Sequence, residues 1–288
     1  MSKLAEPPVE VADGYRAGRT LPFRVELVRQ LKRRRTMVMG GVLFALPLVL
    51  LIAFQVGGDP GGNNNRVNLM DTATASGANF AAVNLFSAAG FLLVIPVALF
   101  CGDTVASEAS WSSLRYLLAA PVPRARLLWS KLAVGLSLSL AAMVLLPIVA
   151  LVVGTAAYGW GPLELPTGGT LPTGTAAQRL LIVVAYIMVS QLVTAALAFW
   201  LSTRTDAPLG AVGGAVFLTI IGSVLDEVTA LGDWRHFLPA HWQYAWLDAV
   251  RPQLEWSDMI QGTSISVTYA LVLFALAFRG FARKDVVS

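Results

Sequence analysis

The stretch Cys101–Ala133, CGDTVASEASWSSLRYLLAAPVPRARLLWSKLA, is the most polar segment lying between two long apolar ones. It carries Asp103, Glu108, Arg115, Arg124, Arg126 and Lys131, yet keeps an apolar stripe. Asp103 is placed to cap a helix running to Ala120. On that helix Trp111, Leu114, Leu117 and Leu118 share one side, and Glu108, Ser112 and Arg115 share another. Pro121-Val122-Pro123 ends it, and Pro123 is suited to open the next helix. Arg124, Arg126 and Lys131 then lead into the following apolar run from the headgroup layer. The reading is a stiff elbow of helix, sharp turn and helix. A plain connection needs only a few residues; a helix with one apolar and one polar face is suited to docking.

The flanking runs set the fold class. Of 288 residues 56% are hydrophobic and 13% charged, about half the charge of an ordinary soluble chain. That is too little to cover a water-exposed surface of this size. Six stretches approach the ~20 apolar residues needed to cross a bilayer: Met37–Val56, Phe80–Cys101, Leu132–Ala157, Ala177–Leu201, Leu209–Leu225 and Thr263–Phe278. Backbone groups in lipid must be satisfied within the segment, so these are helices. The expectation is an all-α, polytopic membrane protein. Residues 1–36 form a cytoplasmic N-terminal segment, 37–279 a six-span domain and 280–288 a cytoplasmic tail.

Lysine and arginine orient it. Nine basic residues precede the first span, four lie in 102–131, Arg204 follows the fourth span and three follow the sixth, so 17 of the 21 fall on one side. That side is read as the cytoplasm, holding both termini. The positive charge is therefore a topology signal, and no nucleic acid is expected as a partner. The first 36 residues lack a cleavable signal peptide, so the first span acts as its own insertion signal. Before it, RTLPFRVELVRQLKRRRT (19–36) offers Val25, Leu27, Val28 and Leu31 on an apolar side and Arg24, Glu26, Arg29 and Lys32 on a polar one. This predicts an interfacial helix, with Lys32–Arg35 as a topology anchor.

On the other side, Gly57–Asn79 reads as a flexible loop. Asp226–Gly262, with Trp234, Phe237, Trp242, Tyr244, Trp246 and Trp256, reads as short helices on the outer membrane surface. Pro47, Pro96 and Pro147 are positioned to kink the first three spans. Gly210 and Gly214 form a G-x-x-x-G pair suited to close helix packing. His236 and His241, five apart, would point away from each other on a helix. There is no phosphate-binding G-x-x-x-x-G-K-[ST] loop, and no ionisable residue inside the spans marks an ion relay. The single cysteine, Cys101, excludes an internal disulfide.

The segment EASWSSLRYLLAAPVPRARLLWSK (108–131) resembles the cytoplasmic signature of ATP-binding-cassette type-2 permeases. Glu108, Trp111, Leu114, Leu117, Pro121, Arg124 and Lys131 match it, while Ser112-Ser113 stands where the family has Gly-Thr and Pro123 where it has Ser. RVELVRQLKRRRTMV resembles the family's connecting helix, placing Arg24, Glu26, Arg29 and Arg33 on it. LSTRTDAPLGAVGGA resembles its loop between spans four and five, and LFALAFRGFARKDV its C-terminal end. The resemblance implies one membrane half of a transporter, usually an exporter, in the plasma membrane. It would pair with a second half, as a homodimer or heterodimer, and be driven by separate ATPase subunits docked on a coupling helix at 103–120. ATP and magnesium would belong to those subunits, and this chain would hold no cofactor and not be an enzyme. The family's second and fifth spans line the path, which nominates Asn84, Ser87, Phe91, Phe217 and Thr219. Few polar groups in the spans favour amphipathic or lipophilic cargo. Two other classes stay open: a membrane-embedded enzyme acting on lipid, and an anchor or assembly factor for a cytoplasmic partner.

Overall fold

The computed structural model describes residues 23–57, 69–110 and 123–283. Helix α1 (Phe23–Leu31) turns into α2 (Arg34–Gly57), the first span. The second span is a bent pair, α3 (Gly77–Ala89) and α4 (Val94–Ser110). Then come α5 (Arg124–Tyr158), the pair α6 (Thr173–Ser190) and α7 (Leu192–Arg204), α8 (Pro208–Asp226) and α9 (Ser257–Ala282). Among the described residues five helical stretches are long and apolar enough to cross a membrane, and the bent pair makes a sixth. The chain is thus an all-α polytopic membrane protein with its first span near the N-terminus.

Helices α3 and α4 meet at 52°. Pro96 explains the break. It sits in the first turn of α4, where its missing N–H costs nothing, and its ring excludes a helical carbonyl four residues earlier. The chain therefore cannot run on as helix through residues 90–93. The break frees the carbonyl of Ala89, which accepts a hydrogen bond from Gln191 Nε2 at 3.2 Å. Gln191 itself sits at the junction of α6 and α7. In a lipid-embedded helix pair such a side chain replaces the lost ladder bond. The pair still traverses the bundle: Gly77 abuts Thr155 near one end of α5, and Glu108 bonds Lys131 near the other.

Three expectations change here. A coupling helix starting at Asp103 is not seen, because α4 runs unbroken through Asp103 to Ser110. Asp103 is not a cap; it faces arginines from the N-terminal segment. Helix α5 does open after Pro123, as the Pro-Val-Pro turn implied. The loop expected over Gly57–Asn79 is packed from Leu69 onward, and Ser76 caps α3 by accepting from Asn79 N at 3.3 Å. Asn79 in turn holds a small hairpin, β1 (Leu163–Glu164) and β2 (Thr170–Leu171), through two bonds to the Glu164 backbone. Gly168 and Gly169 turn that hairpin at φ of 88° and 91°, a region that favours glycine.

The G-x-x-x-G reading holds in half. A Cβ on Gly214 would lie 3.2 Å from Leu201 on α7, but one on Gly210 would meet only its own loop. The closest approaches are elsewhere. Gly77 meets the Thr155 backbone, Gly154 meets Phe80, Gly135 meets Phe100 and Cys101, and Gly262 meets Tyr186 and Trp242. Helix α4 is central, packed on α5, α7 and α8, while α2 and α8 leave most of their apolar surface outward.

The 226–262 segment does form short helical turns, at Thr229–Phe237, Pro239–Trp242 and Ala245–Val250. It does not lie wholly on the surface. Trp246 is fully buried and packs on Phe86, which also meets Tyr244 at 5.4 Å between ring centres. Tyr186 Oη donates to the Trp242 carbonyl at 2.6 Å. Trp234, Phe237 and Trp256 stay exposed, as interfacial aromatics do.

Candidate functional site

The start of α1 and α2, the ends of α4, α7 and α9 and the start of α5 gather at one end of the bundle, here called the basic end. Seven charged side chains interlock there. Lys131, 3% exposed, reaches Glu26 Oε1 at 2.8 Å and also bonds Glu108. Arg29 bonds both acids, at 2.9 Å to Glu26 and 2.5 Å to Glu108. Gln30 Nε2 donates to Glu26 at 3.1 Å. One turn along, Asp103 is held by Arg33 at 2.9 Å and by both terminal nitrogens of Arg35. Leu127, Leu128 and Phe281 close apolar walls around Lys131 and Glu108.

Helical spacing builds this knot. With Arg33 in the bend before α2, Glu26, Arg29 and Gln30 recur at i, i+3 and i+4 on α1 and so share a face. That face is turned inward: Glu26 and Gln30 are buried, whereas Val25, Val28 and Leu31 are exposed. An amphipathic helix in the membrane interface has this arrangement, with its apolar side left for lipid. Arg24 is exposed. Burial would push the Glu26 carboxyl up, but Lys131, Gln30 and Arg29 together bring it below its ordinary value. Arg29 is itself held above its ordinary value: burial opposes its charge, and Glu108 and Glu26 outweigh that.

The elbow residues Trp111, Ser112, Leu114, Arg115, Leu117 and Pro121 lie outside the described residues. Of the remaining elbow positions, Glu108 and Lys131 meet in the knot, and Arg124 donates to the Ala282 carbonyl at 3.2 Å. Asp103, Gln30, Arg35 and Ser202 were not singled out as site residues from sequence. Ser202 Oγ accepts from the Val105 and Ala106 N–H groups at 3.1 and 3.0 Å and so ties α7 to α4. A serine one residue before the Thr-Arg end of an apolar run carried no local signal for this.

The path residues do not form one site within the chain. Asn84 is fully buried between α3 and α5, its amide donating to Phe80 O at 2.8 Å. Ser87 bonds its own helix. Phe91 and Phe217 are exposed. Thr219 alone lines a cavity of about 280 Å³ between α6, α7, α8, α9 and the Pro239–Gln243 turn. Its polar groups are Ser190, Gln191, Thr194, Thr219, Gln243 and Tyr269, and among the described residues no carboxylate, lysine, arginine or histidine lines it.

At the opposite end the histidines do meet. Their ring centres lie 4.8 Å apart, and His241 Nδ1 is 2.6 Å from Asp226 Oδ1. The helical expectation failed because Leu238, extended before Pro239, breaks the segment between the two histidines. Among the described residues no cluster of three or more His, Cys, Asp or Glu could hold a metal ion.

Residues 61–287 match the model of a family described as protein of unknown function, DUF2705. The chain belongs to this family. Membership covers the bundle from the second span onward and the elbow, and it leaves out α1 and α2, which the knot ties to that bundle. No curated protein matches the chain.

Proposed function

We propose that the chain is the membrane-spanning half of an ATP-binding-cassette transporter, exporting neutral amphipathic or lipophilic cargo and driven by separate ATPase subunits. The observation that carries this reading is the buried ion-pair knot. It joins the interfacial helix α1 to both arms of the charged elbow, through Glu108 on the descending side and Lys131 on the ascending side. A tether needs no such bracing. An element that receives force from below does, because a push on the elbow then moves α1, α4 and α5 as one body.

In this reading the basic end is cytoplasmic and the chain sits in the plasma membrane. The docking element is the elbow that begins with the last turns of α4, which runs to Ser110. ATP and magnesium bind the partner, and a second permease half completes the path. The uncharged cavity suits cargo without formal charge, because an ion there would lack a counter-charge.

The test is transport and cargo-stimulated ATP hydrolysis in a complex reconstituted with an ATPase encoded beside this chain. Glu108→Ala and Leu114→Asp should each reduce transport, with expression normal and the isolated ATPase fully active. Parent-like transport in both variants would make the elbow a tether only.

A further inference from the structure

A second cleft opens at the basic end, between the last turns of α7 and α9. Its volume is about 530 Å³, and it is lined by Thr203, Arg204, Leu276, Arg279, Gly280 and Arg283. Three guanidinium groups from two helices share it. Among the described residues no carboxylate lines it, and none of the three arginines makes an ion pair. This contrasts with the adjoining knot, where every arginine and the lysine meet acids.

One arginine in the last turn of each helix is expected, since cations complement a helix C-terminus and anchor it at the membrane surface. Convergence is not. Arg204 lies across α9 at Gly280: a Cβ on that glycine would sit 3.1 Å from its Nη2. Arg204 is also stacked over Trp200 at 5.7 Å, which fixes its direction. Three like charges facing one cleft repel each other unless an anion joins them. Guanidinium forks match the oxygens of a phosphate group. Leu276, one turn nearer the bilayer on α9, is exposed and gives the cleft an apolar edge.

We propose that this cleft binds the phosphate headgroup of an anionic membrane lipid, with the acyl chains running past Leu276. Basic pockets between membrane helices at headgroup level are suited to such ligands. The site is independent of the transport reading, because it requires only that the bundle lie in a bilayer.

The experiment is native mass spectrometry of the full chain, stripped of lipid in a neutral detergent and titrated with phosphatidylglycerol, phosphatidylcholine or inorganic phosphate. The parent should retain one phosphatidylglycerol at least tenfold more tightly than phosphatidylcholine. Arg279→Gln with Arg283→Gln should lower that affinity about 30-fold, from roughly one kcal/mol per basic residue near the surface. Lys32→Gln with Arg34→Gln, both exposed at the α1–α2 junction, removes the same charge from the same end and should leave the bound lipid in place. Gly280→Ala changes no charge but displaces Arg204, and should weaken binding by several-fold. Equal loss in the two double variants would overturn the site, reducing it to general surface charge. Displacement of the lipid by millimolar inorganic phosphate would assign the cleft to a free anion and overturn the lipid. Unchanged lipid retention in Arg279→Gln/Arg283→Gln, alongside loss of a bound protein partner, would make it a protein contact instead.

Discussion

Replacing Lys131 with methionine is expected to destabilise the basic end by about 3–5 kcal/mol, the usual cost of leaving buried acids without their partner. The side chain is almost fully buried and is shared by Glu26 and Glu108. Without it two carboxylates from different helices face each other across apolar walls, bridged by Arg29, whose side chain is 49% exposed. Arg29→Met should cost far less, about 1 kcal/mol or below, because solvent already screens that charge. The measurement is protease cleavage between α1 and α2 together with thermal unfolding in detergent. Lys131→Met should release α1 to cleavage and Arg29→Met should not. Adding Glu26→Gln and Glu108→Gln to Lys131→Met should restore much of the protection, since the charge then left without its acids, Arg29, is half exposed and solvated. Acid acts in the same direction: the Glu26 value is lowered in the folded chain, so its contribution is complete above 4.5 and is lost as pH falls through that lower value. Equal effects of Lys131→Met and Arg29→Met would mean that the knot is a solvated surface.

The second large effect is at Gly77. A methyl there would lie 2.5 Å from Thr155 Oγ1 and 2.7 Å from the Thr155 backbone nitrogen. Backbone cannot yield as a flexible side chain does, so α3 and α5 must separate along their contact. Gly77→Ala should cost at least the 1–3 kcal/mol typical of an overpacked core. Gly154→Ala should cost a similar amount, because its methyl would fall 2.7 Å from buried Phe80. Gly213→Ala, with nothing within 4 Å, should be neutral or slightly stabilising through helix propensity. Thermal unfolding of the three variants, purified identically, decides this. A neutral Gly77→Ala would mean that α3 does not abut α5 at this point.

These glycines show what the sequence withheld. Hydropathy located all six spans because bilayer thickness fixes their length, and the basic residues that orient them do gather at one end. Rotation of each helix about its axis is not visible in hydropathy. The G-x-x-x-G spacing on α8 therefore drew the eye, while Gly77, Gly102, Gly135 and Gly154, placed where helices touch, had no motif. Asp103 was misread for a related reason. Its local pattern fits a cap, but its partners Arg33 and Arg35 lie about 70 residues away. Pro96 was seen as a kink inside one span; its effect falls a turn earlier, as a full break. The histidine pair was judged by helix geometry that the Leu238–Pro239 break removes. Lys131 and Glu108 were legible because they flank the elbow in sequence, and α1 was legible as an amphipathic helix. Which of its faces turns inward was decided by Lys131, 105 residues from Glu26.

ATP-driven movement of cargo can be followed in proteoliposomes. The chain is reconstituted with a candidate ATPase subunit, and transfer of a neutral fluorescent lipophile across the bilayer is followed by quenching. Transfer should require ATP and both chains, stop with a hydrolysis-dead ATPase, and fall sharply with Lys131→Met while ATP turnover by the isolated ATPase is unchanged. Transfer without the ATPase, chemical conversion of the probe by the chain alone, or a complex that forms but moves nothing for any neutral probe would contradict the transport reading.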